Sequence, residues 1–453
     1  MALNAVDSSR TDVDVGQGRA GMFWRLALAA FGLMGARLSG AVFGFLTQIL
    51  LARTFPAEQV GIAFLAMSVT TFVGLVITCG YSTLALTYLA RYRAFGRPAL
   101  VEAFLAVARR DVAAAGLVVL AGGVAGYFFA PLTPGMAEAM LAGCIAALPL
   151  AALRINSSAA NAQRRFTLSY APDFVFRPLL LLVFIGVMVL LGVDRHIEYV
   201  LVALIVIALV AAVGQALRLG PDNVWSLKAR RPSRNLARFF RHRAGAMLLV
   251  TVVGGATADL VVMLGGVFLP PDQVAVLAVA VRLAALVGFF SAASQPFVLR
   301  DLASAMSSAK SAETNRLLLR MNLAGLSLMA AAIIACAVLG PWVLRIYGRD
   351  YAAAYWPLLL FLIGQMFRVS GGMNGELLAL GGHQVKSATL CVAAVAVLVV
   401  AAAILTPIWH VMGLATASVC AEAFWAVGLA LLTQRLEGRR GDIVGLLLQR
   451  RAA

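Results

Sequence analysis

Twelve apolar runs follow one another along this chain, and they restrict its fold more than any other feature. A helix of roughly 20 apolar residues crosses the ~30 Å hydrocarbon core of a bilayer and satisfies its own backbone hydrogen bonds there. The sequence therefore predicts an all-α polytopic membrane protein with twelve transmembrane helices. The runs lie near residues 27–52, 57–80, 112–131, 137–157, 174–192, 198–217, 245–268, 273–296, 321–343, 353–373, 388–408 and 412–433.

Composition narrows the functional class. Hydrophobic residues make up 62% of the chain and charged residues only 13%, whereas a soluble domain carries about 25% charged residues. This balance excludes a soluble enzyme, a secreted disulfide scaffold and a disordered chain. The five cysteines fall in apolar runs and the four histidines are dispersed, so we expect no metal site and no cofactor. Neither a phosphate-binding glycine loop nor a nucleophile elbow occurs, so no catalytic residue is assigned and the chain is not expected to be an enzyme.

The basic residues indicate how the chain sits in the membrane. It has 37 Lys and Arg against 20 Asp and Glu. If the N-terminus is cytoplasmic and the spans alternate, 30 basic residues fall in seven cytoplasmic segments, four on the other side and three inside spans. Because Arg and Lys accumulate in cytoplasmic loops, we expect a multi-pass protein of the bacterial cell inner membrane with cytoplasmic N- and C-termini. Spread over seven segments, this charge does not indicate a nucleic-acid partner.

An internal repeat divides the chain into halves. Residues 56–60 (PAEQV) resemble residues 270–274 (PPDQV) at an offset of 214, and the same offset aligns Ala66 with Ala280. Six spans separate the two segments, so the repeats run parallel, as in transporters whose site lies between two lobes near the midplane. The expected organisation is a cytoplasmic N-terminal tail (1–26), an N-lobe (27–217), a basic linker (218–244), a C-lobe (245–433) and a basic cytoplasmic tail (434–453).

Charged residues inside the spans are the candidate binding residues, because a charge facing hydrocarbon costs about 3 kcal/mol or more. Three are cations and two are acids, and guanidinium groups bind phosphate oxygens bidentately. This set predicts a cationic cavity for an anionic, lipid-borne cargo; the alternative is structural ion pairing, for example between Asp259 and Arg282. Glu422 is either a proton-coupling carboxylate or the partner of an Arg. The candidates are Arg37, Asp259, Arg282, Arg368 and Glu422.

Other features have simpler interpretations. The repeat offset also pairs Arg154 with Arg368, which would place a second Arg near the equivalent position in the first lobe. Trp425 and three other tryptophans near span ends are typical of an aromatic belt. Two basic amphipathic stretches, residues 236–240 and 443–448, suit helices lying on anionic lipid headgroups, so membrane lipids are expected partners.

Several short motifs resemble those of a known group. Residues 50–55 (LLARTF) with 58–61 (EQVG) resemble the first-hairpin signature of polysaccharide biosynthesis proteins, the lipid-linked oligosaccharide flippases of the multidrug/oligosaccharidyl-lipid/polysaccharide exporter superfamily. In the second half, Asp259 and residues 272–274 and 280–283 are similar to that family's seventh and eighth helices. Residues 380–383 with Lys386 are similar to its loop after the tenth helix.

This resemblance implies a V-shaped pair of six-helix lobes that alternates between inward- and outward-open states. The cargo would be an undecaprenyl-diphosphate-linked oligosaccharide repeat unit for surface polysaccharide, exopolysaccharide or lipopolysaccharide synthesis, with a polysaccharide polymerase and chain-length proteins as further partners. Lipid II flippases are similar but typically have fourteen helices and an Arg-Asp pair in the first helix, where this chain has Thr47 and Gln48.

Three rival functions stay open from the sequence. A multidrug or cation antiporter of the same superfamily would favour an acidic or aromatic cavity. An integral-membrane polysaccharide polymerase or ligase needs an acceptor site outside the bilayer, and the short external loops weigh against it. A non-transporting scaffold of a polysaccharide complex is the third.

Overall fold

A computed structural model of the chain describes residues 35, 38–226, 232–255, 257–292, 311–438, 440–443 and 445–446. This described part is built from helices joined by short connections. They are α1 Leu38–Thr54, α2 Ala57–Ile77, α3 Tyr81–Ala94, α4 Pro98–Phe129, α5 Pro134–Ala162, α6 Phe166–Leu190, α7 Ile197–Leu219, α8 Arg234–Gly255, α9 Thr257–Phe268, α10 Pro271–Ala292, α11 Ser311–Tyr347, α12 Tyr355–Ser370, α13 Asn374–Leu380 and α14 Gln384–Glu437.

These helices account for the twelve predicted spans. Within the described ranges, nine helices are long and apolar enough to cross a membrane. The longest, α14, bends back at His410 (φ 50°, ψ −127°), three residues after Pro407, and Leu390 of its first half contacts Gly428 of its second. It therefore supplies the last two spans. The shorter apolar helices α1 and α9 correspond to the first and seventh. The predicted all-α twelve-helix architecture is confirmed.

Prolines and one glycine set several helix boundaries. Pro98, Pro134 and Pro271 open α4, α5 and α10, where the missing N–H costs nothing and the fixed φ suits the first turn. Gly80, between α2 and α3, has φ +80° and lies against the Ala244 carbonyl of α8. A side chain at that position would meet both backbone strain and α8.

The two lobes meet along α2 and α10, and the contacts follow the repeat. Gly61 of α2 lies against Pro271 and Ala275, and Ser68 of α2 accepts a hydrogen bond from Arg282. Ala275 and Arg282 are the residues 214 positions after Gly61 and Ser68. Residues near a two-fold axis touch their own repeat counterparts, so such an axis runs between α2 and α10. The two parallel-repeat lobes are thereby confirmed, whereas their exact predicted boundaries stay a prediction.

The first amphipathic stretch, residues 236–240, packs one side on protein and leaves Phe239 exposed, and its predicted contact with lipid headgroups stays a prediction. Phe240 is fully buried against Tyr88 and Phe104. Next to it, Arg241 donates to both carboxylate oxygens of Asp111 at 2.7–3.1 Å. Aromatic side chains of α3 and α4 therefore cover Phe240, the innermost apolar residue of this stretch. This contact attaches the start of α8 to the N-lobe.

Candidate functional site

A central cavity of about 490 Å³ lies between the lobes. Its wall combines α1, α2, α6 and α7 of the N-lobe with α9 and α10 of the C-lobe. Most of the wall is apolar, and the polar part is concentrated in a few side chains. These are Gln48, Thr71, Asp173, Arg177, Asp259 and Arg282.

Arg282 and Asp259, two of the predicted site residues, meet through one hydroxyl. Nη2 of Arg282 donates to Oγ of Ser68 at 3.3 Å, and Ser68 also hydrogen-bonds to Asp259. The guanidinium lies 4.8 Å from the centre of the Phe64 ring, within cation–π range. Ser68 is fully buried. A cation and an anion of the C-lobe are therefore tied to one polar side chain of the N-lobe.

The N-lobe contributes a second charged group that sequence reasoning missed. A π-helical turn at Ala171–Phe176, which contains Pro172, interrupts α6 and places Asp173 beside Arg177 as an ion pair. Arg154 of α5 donates to the carbonyl of Thr71 at 3.1 Å, behind the same wall. Arg154 and Arg177 lie at the ends of the fourth and fifth predicted spans, and the charge count of the sequence includes them among the 30 cytoplasmic basic residues. The repeat pairing of Arg154 with Arg368 was the available signal for an intramembrane role.

Arg368 and Glu422 occupy a separate C-lobe cavity of about 400 Å³, lined by α9, α10, α12 and α14. Arg368 binds Glu422 through two nitrogens, Nε at 3.0 Å from Oε2 and Nη2 on Oε1. Nη2 also donates to Thr257 at 3.3 Å. The guanidinium lies 5.7 Å from the Trp425 ring, so this tryptophan lines the cavity instead of joining an aromatic belt.

The five predicted site residues are thus divided rather than gathered in one cavity. Asp259 and Arg282 line the central cavity, whereas Arg368 and Glu422 pair in the C-lobe cavity. Arg37 lies outside the described residues. The two cavities are neighbours, because Ala258 and Ala285 line both. The division follows from which helices form each wall: α12 and α14, which carry Arg368 and Glu422, line only the C-lobe cavity.

The lining of the central cavity holds two cationic and two anionic side chains, and a third cation lies just behind it. Arg177 and Arg282 line it and Arg154 flanks it, against the carboxylates of Asp173 and Asp259. Guanidinium groups held in a low-dielectric wall bind phosphate and carboxylate oxygens strongly. Among the described residues, no group of three or more His, Cys, Asp or Glu could hold a metal ion.

One end of the central cavity is closed by contacts between the lobes. Arg53, at the end of α1, donates to the carbonyls of Ile346 and Arg345 at 2.7 and 2.8 Å. These carbonyls belong to the last turn of α11, where backbone acceptors have no partner within the helix and a cation is favourable. Beside them, the buried Tyr347 hydroxyl lies 3.5 Å from Oε1 of Gln48. By the charge count, this is the external end.

Comparison with known proteins identifies the fold class. No family model and no curated protein matches the sequence. Among solved structures, the chain is similar to a multidrug resistance MATE family transporter of the MOP superfamily in its inward-facing conformation, with a TM-score of 0.72, 12% identity, and coverage of 88% of this chain and 95% of the other. It is also similar to the lipid II flippase MurJ in an inward closed conformation, with a TM-score of 0.69, 14% identity, and coverage of 89% and 87%. A eukaryotic MATE transporter, AtDTX14, matches with a TM-score of 0.59 and 13% identity, over 90% of this chain and 96% of the other.

These matches define the class: the chain has the fold of MOP-superfamily membrane transporters. At 12–14% identity they show the fold alone.

Proposed function

We propose that this protein is a flippase that moves an undecaprenyl-diphosphate-linked oligosaccharide repeat unit across the bacterial inner membrane for surface polysaccharide or exopolysaccharide synthesis. The lobes rock about the α2–α10 contact and expose the central cavity to one side at a time. The diphosphate and first sugars occupy the cavity while the polyprenyl chain remains in lipid. A polysaccharide polymerase and chain-length proteins act on the delivered unit.

The charge of the central cavity carries this proposal. The wall holds the guanidinium groups of Arg177 and Arg282 and two carboxylates. The guanidinium of Arg154, bonded to the Thr71 carbonyl just behind the wall, makes three cations against two acids in and around the cavity. Arg177 and Arg282 each have an acidic neighbour already, so a diphosphate competes for them instead of filling an empty site. Such exchange of partners permits binding on one side and release on the other.

A multidrug transporter is the second candidate function. The two carboxylates of Asp173 and Asp259 face the same cavity and could receive a cationic compound. The MATE match is the observation that favours it. The two candidates differ in the sign of the cargo, so one assay can distinguish them.

The test uses the purified protein reconstituted in vesicles. A polyprenyl-diphosphate oligosaccharide with a fluorophore on its sugar is placed in both leaflets, and an impermeant quencher is added outside. We expect complete quenching with the protein present and half quenching without it. A cationic dye trapped in matched vesicles should stay inside. Half quenching together with dye release would instead establish the multidrug function.

A deletion in the native host gives an independent result. We expect loss of the surface polysaccharide while the lipid-linked precursor accumulates on the cytoplasmic leaflet. If synthesis of the precursor itself stopped, the flippase proposal would be wrong.

A further inference from the structure

The chain beyond α14 folds back and docks onto the end of the C-lobe. Helix α14 ends at Glu437, and Gly438 has φ +68°, the left-handed conformation with which glycine reverses a chain after a helix. The returning segment, residues 440–446, is named here the tail strap; residues 440–443 and 445–446 of it are described. The charge count places this end of the C-lobe in the cytoplasm.

Two buried asparagines hold the tail strap. Asn322 of α11 donates to the Gly441 carbonyl at 2.5 Å. Asn374, at the start of α13, accepts from the Gly441 N–H at 2.7 Å and donates to Asp442 at 3.4 Å. Asn374 is fully buried and Asp442 only 4% exposed. A polar cluster this buried is costly unless its partners are present, so the fold specifies the docked position.

Apolar and charged contacts complete the docking. Leu446 is buried with Leu318, Met373 and Leu377, so the second predicted amphipathic stretch faces protein here instead of lipid. Arg440 pairs with Asp442 through two bonds at 2.8 Å. Burial acts to raise the pKa of the Asp442 carboxyl, but the bonds from Arg440, the Gly445 N–H and Asn374 outweigh it and hold the pKa below its usual range.

The docked tail strap lies directly behind the part of the C-lobe cavity wall that connects α12 to α13. Gly372 lines that cavity, and a Cβ added to it would lie 2.7 Å from the Gly441 carbonyl and 2.8 Å from Asn322. Gly375, one turn on, lines the cavity as well. The backbone around Gly372 therefore lies between the tail strap and the cavity that holds the Arg368–Glu422 pair.

We propose that the tail strap is a cytoplasmic plug: docked, it separates the Arg368–Glu422 pair from cytoplasmic water, and its release opens the C-lobe cavity from that side. The surface on which it docks is formed by Asn322, Asn374 and Leu377. The plug controls access to the second cavity whatever cargo the central cavity carries, so its test does not depend on the flippase proposal.

Cys391 lines the C-lobe cavity and serves as a natural reporter. The other cysteines (Cys79, Cys144, Cys336 and Cys420) are replaced by alanine, and labelling of Cys391 by an impermeant thiol reagent is followed in inside-out and right-side-out vesicles. Asn374→Ala and Leu446→Asp release the tail strap by different routes. We expect Cys391 to be labelled at least about tenfold faster in both, which corresponds to ~1.4 kcal/mol of docking, and only in inside-out vesicles.

A variant with a protease site tests the plug in protein that has already folded, so a folding defect cannot account for the result. A specific protease site inserted after Gly438 allows the tail to be cut once the folded protein is in the vesicle. Faster labelling after cleavage supports the plug. An unchanged rate after the tail has been cut and washed away, or equal acceleration from both membrane sides, overturns it. Arg435→Ala, an exposed residue in the last turn of α14, is the matched control and should leave the rate unchanged.

Discussion

At the scale of single residues, the most constrained group is Arg282. Its guanidinium has the Phe64 ring on one side and the Ser68 hydroxyl at 3.3 Å, and that hydroxyl also binds Asp259. Arg282 is therefore held next to the cavity mainly by Ser68 and Phe64, and Asp259 is linked to it through the Ser68 hydroxyl. A phosphate oxygen can therefore approach Arg282 while Asp259 keeps its hydrogen bond to Ser68.

Charge reversal at this position should be far more damaging than a change of cation. Arg282→Glu puts a second carboxylate beside Asp259, and an uncompensated buried charge costs about 3–5 kcal/mol. Arg282→Lys keeps the charge but loses the planar fork. We expect translocation to fall at least about tenfold further in Arg282→Glu than in Arg282→Lys, measured in the vesicle assay. Arg110→Glu, an exposed charge reversal on α4, is the control. Equal, wild-type rates for both Arg282 variants would assign the residue a purely structural role.

Variants of the Arg368–Glu422 pair can show whether this ion pair takes part in transport or only stabilises the packing of α12 against α14. Glu422→Gln leaves Arg368 without its carboxylate partner and should lower the free energy of unfolding by about 3–5 kcal/mol. The double variant Arg368→Met with Glu422→Leu replaces the pair by apolar side chains and should recover most of that loss. Thermal unfolding in detergent measures both. If the double variant is stable and still translocates cargo at the wild-type rate, the pair only holds α12 to α14.

At the scale of helices, the close contact of α2 with α10 depends on Gly61. A Cβ there would overlap the Pro271 carbonyl and lie 3.2 Å from the Ala275 nitrogen, and backbone cannot move aside as a side chain can. Gly61→Val should therefore force the helices apart, with a loss of about 1–3 kcal/mol of stability from overpacking. Gly122→Ala on α4, where a Cβ meets nothing within 4 Å, should instead stabilise by about 0.5–1 kcal/mol. Melting temperatures that move in the same direction would contradict this account of the interface.

The transmembrane helices could be predicted from the sequence, whereas the distribution of the charged residues between the two cavities could not. Apolar length alone gives the twelve spans, and Pro407 with Gly413 marks the bend in α14. The π-helical turn of α6 carries no comparable signal, yet it brings Asp173 and Arg177 to the central cavity. Likewise, Arg368 and Arg282 lie in different cavities because α12 does not reach the wall of the central cavity, and the packing of the helices decides this, not the local sequence pattern. Contacts between lobes, such as Arg53 with α11, depend on three-dimensional assembly.

At the scale of the whole molecule, the lobes are held together at the predicted external end by Arg53. Its two bonds to the last turn of α11 cross from one lobe to the other. They must break whenever the central cavity opens to that side. The α2–α10 contact, by contrast, lies near the repeat axis and can persist during rocking. Arg53 is therefore positioned to influence the balance between the two open states.

Removing this contact should shift the molecule towards its externally open state. In Arg53→Ala, the carbonyls of Arg345 and Ile346 lose both bonds, each worth about 1–1.5 kcal/mol net, so the ratio of closed to externally open molecules should fall by roughly tenfold or more. The readout is labelling of a Gln48→Cys variant in the central cavity by an impermeant reagent added from outside. Arg195→Ala is the matched control, because Arg195 is also exposed and also donates to a carbonyl, that of Thr54 at 3.4 Å, but within the N-lobe. We expect faster labelling with Arg53→Ala and no change with Arg195→Ala. The same acceleration in both would show that local loosening of the N-lobe, rather than separation of the lobes, exposes the cavity.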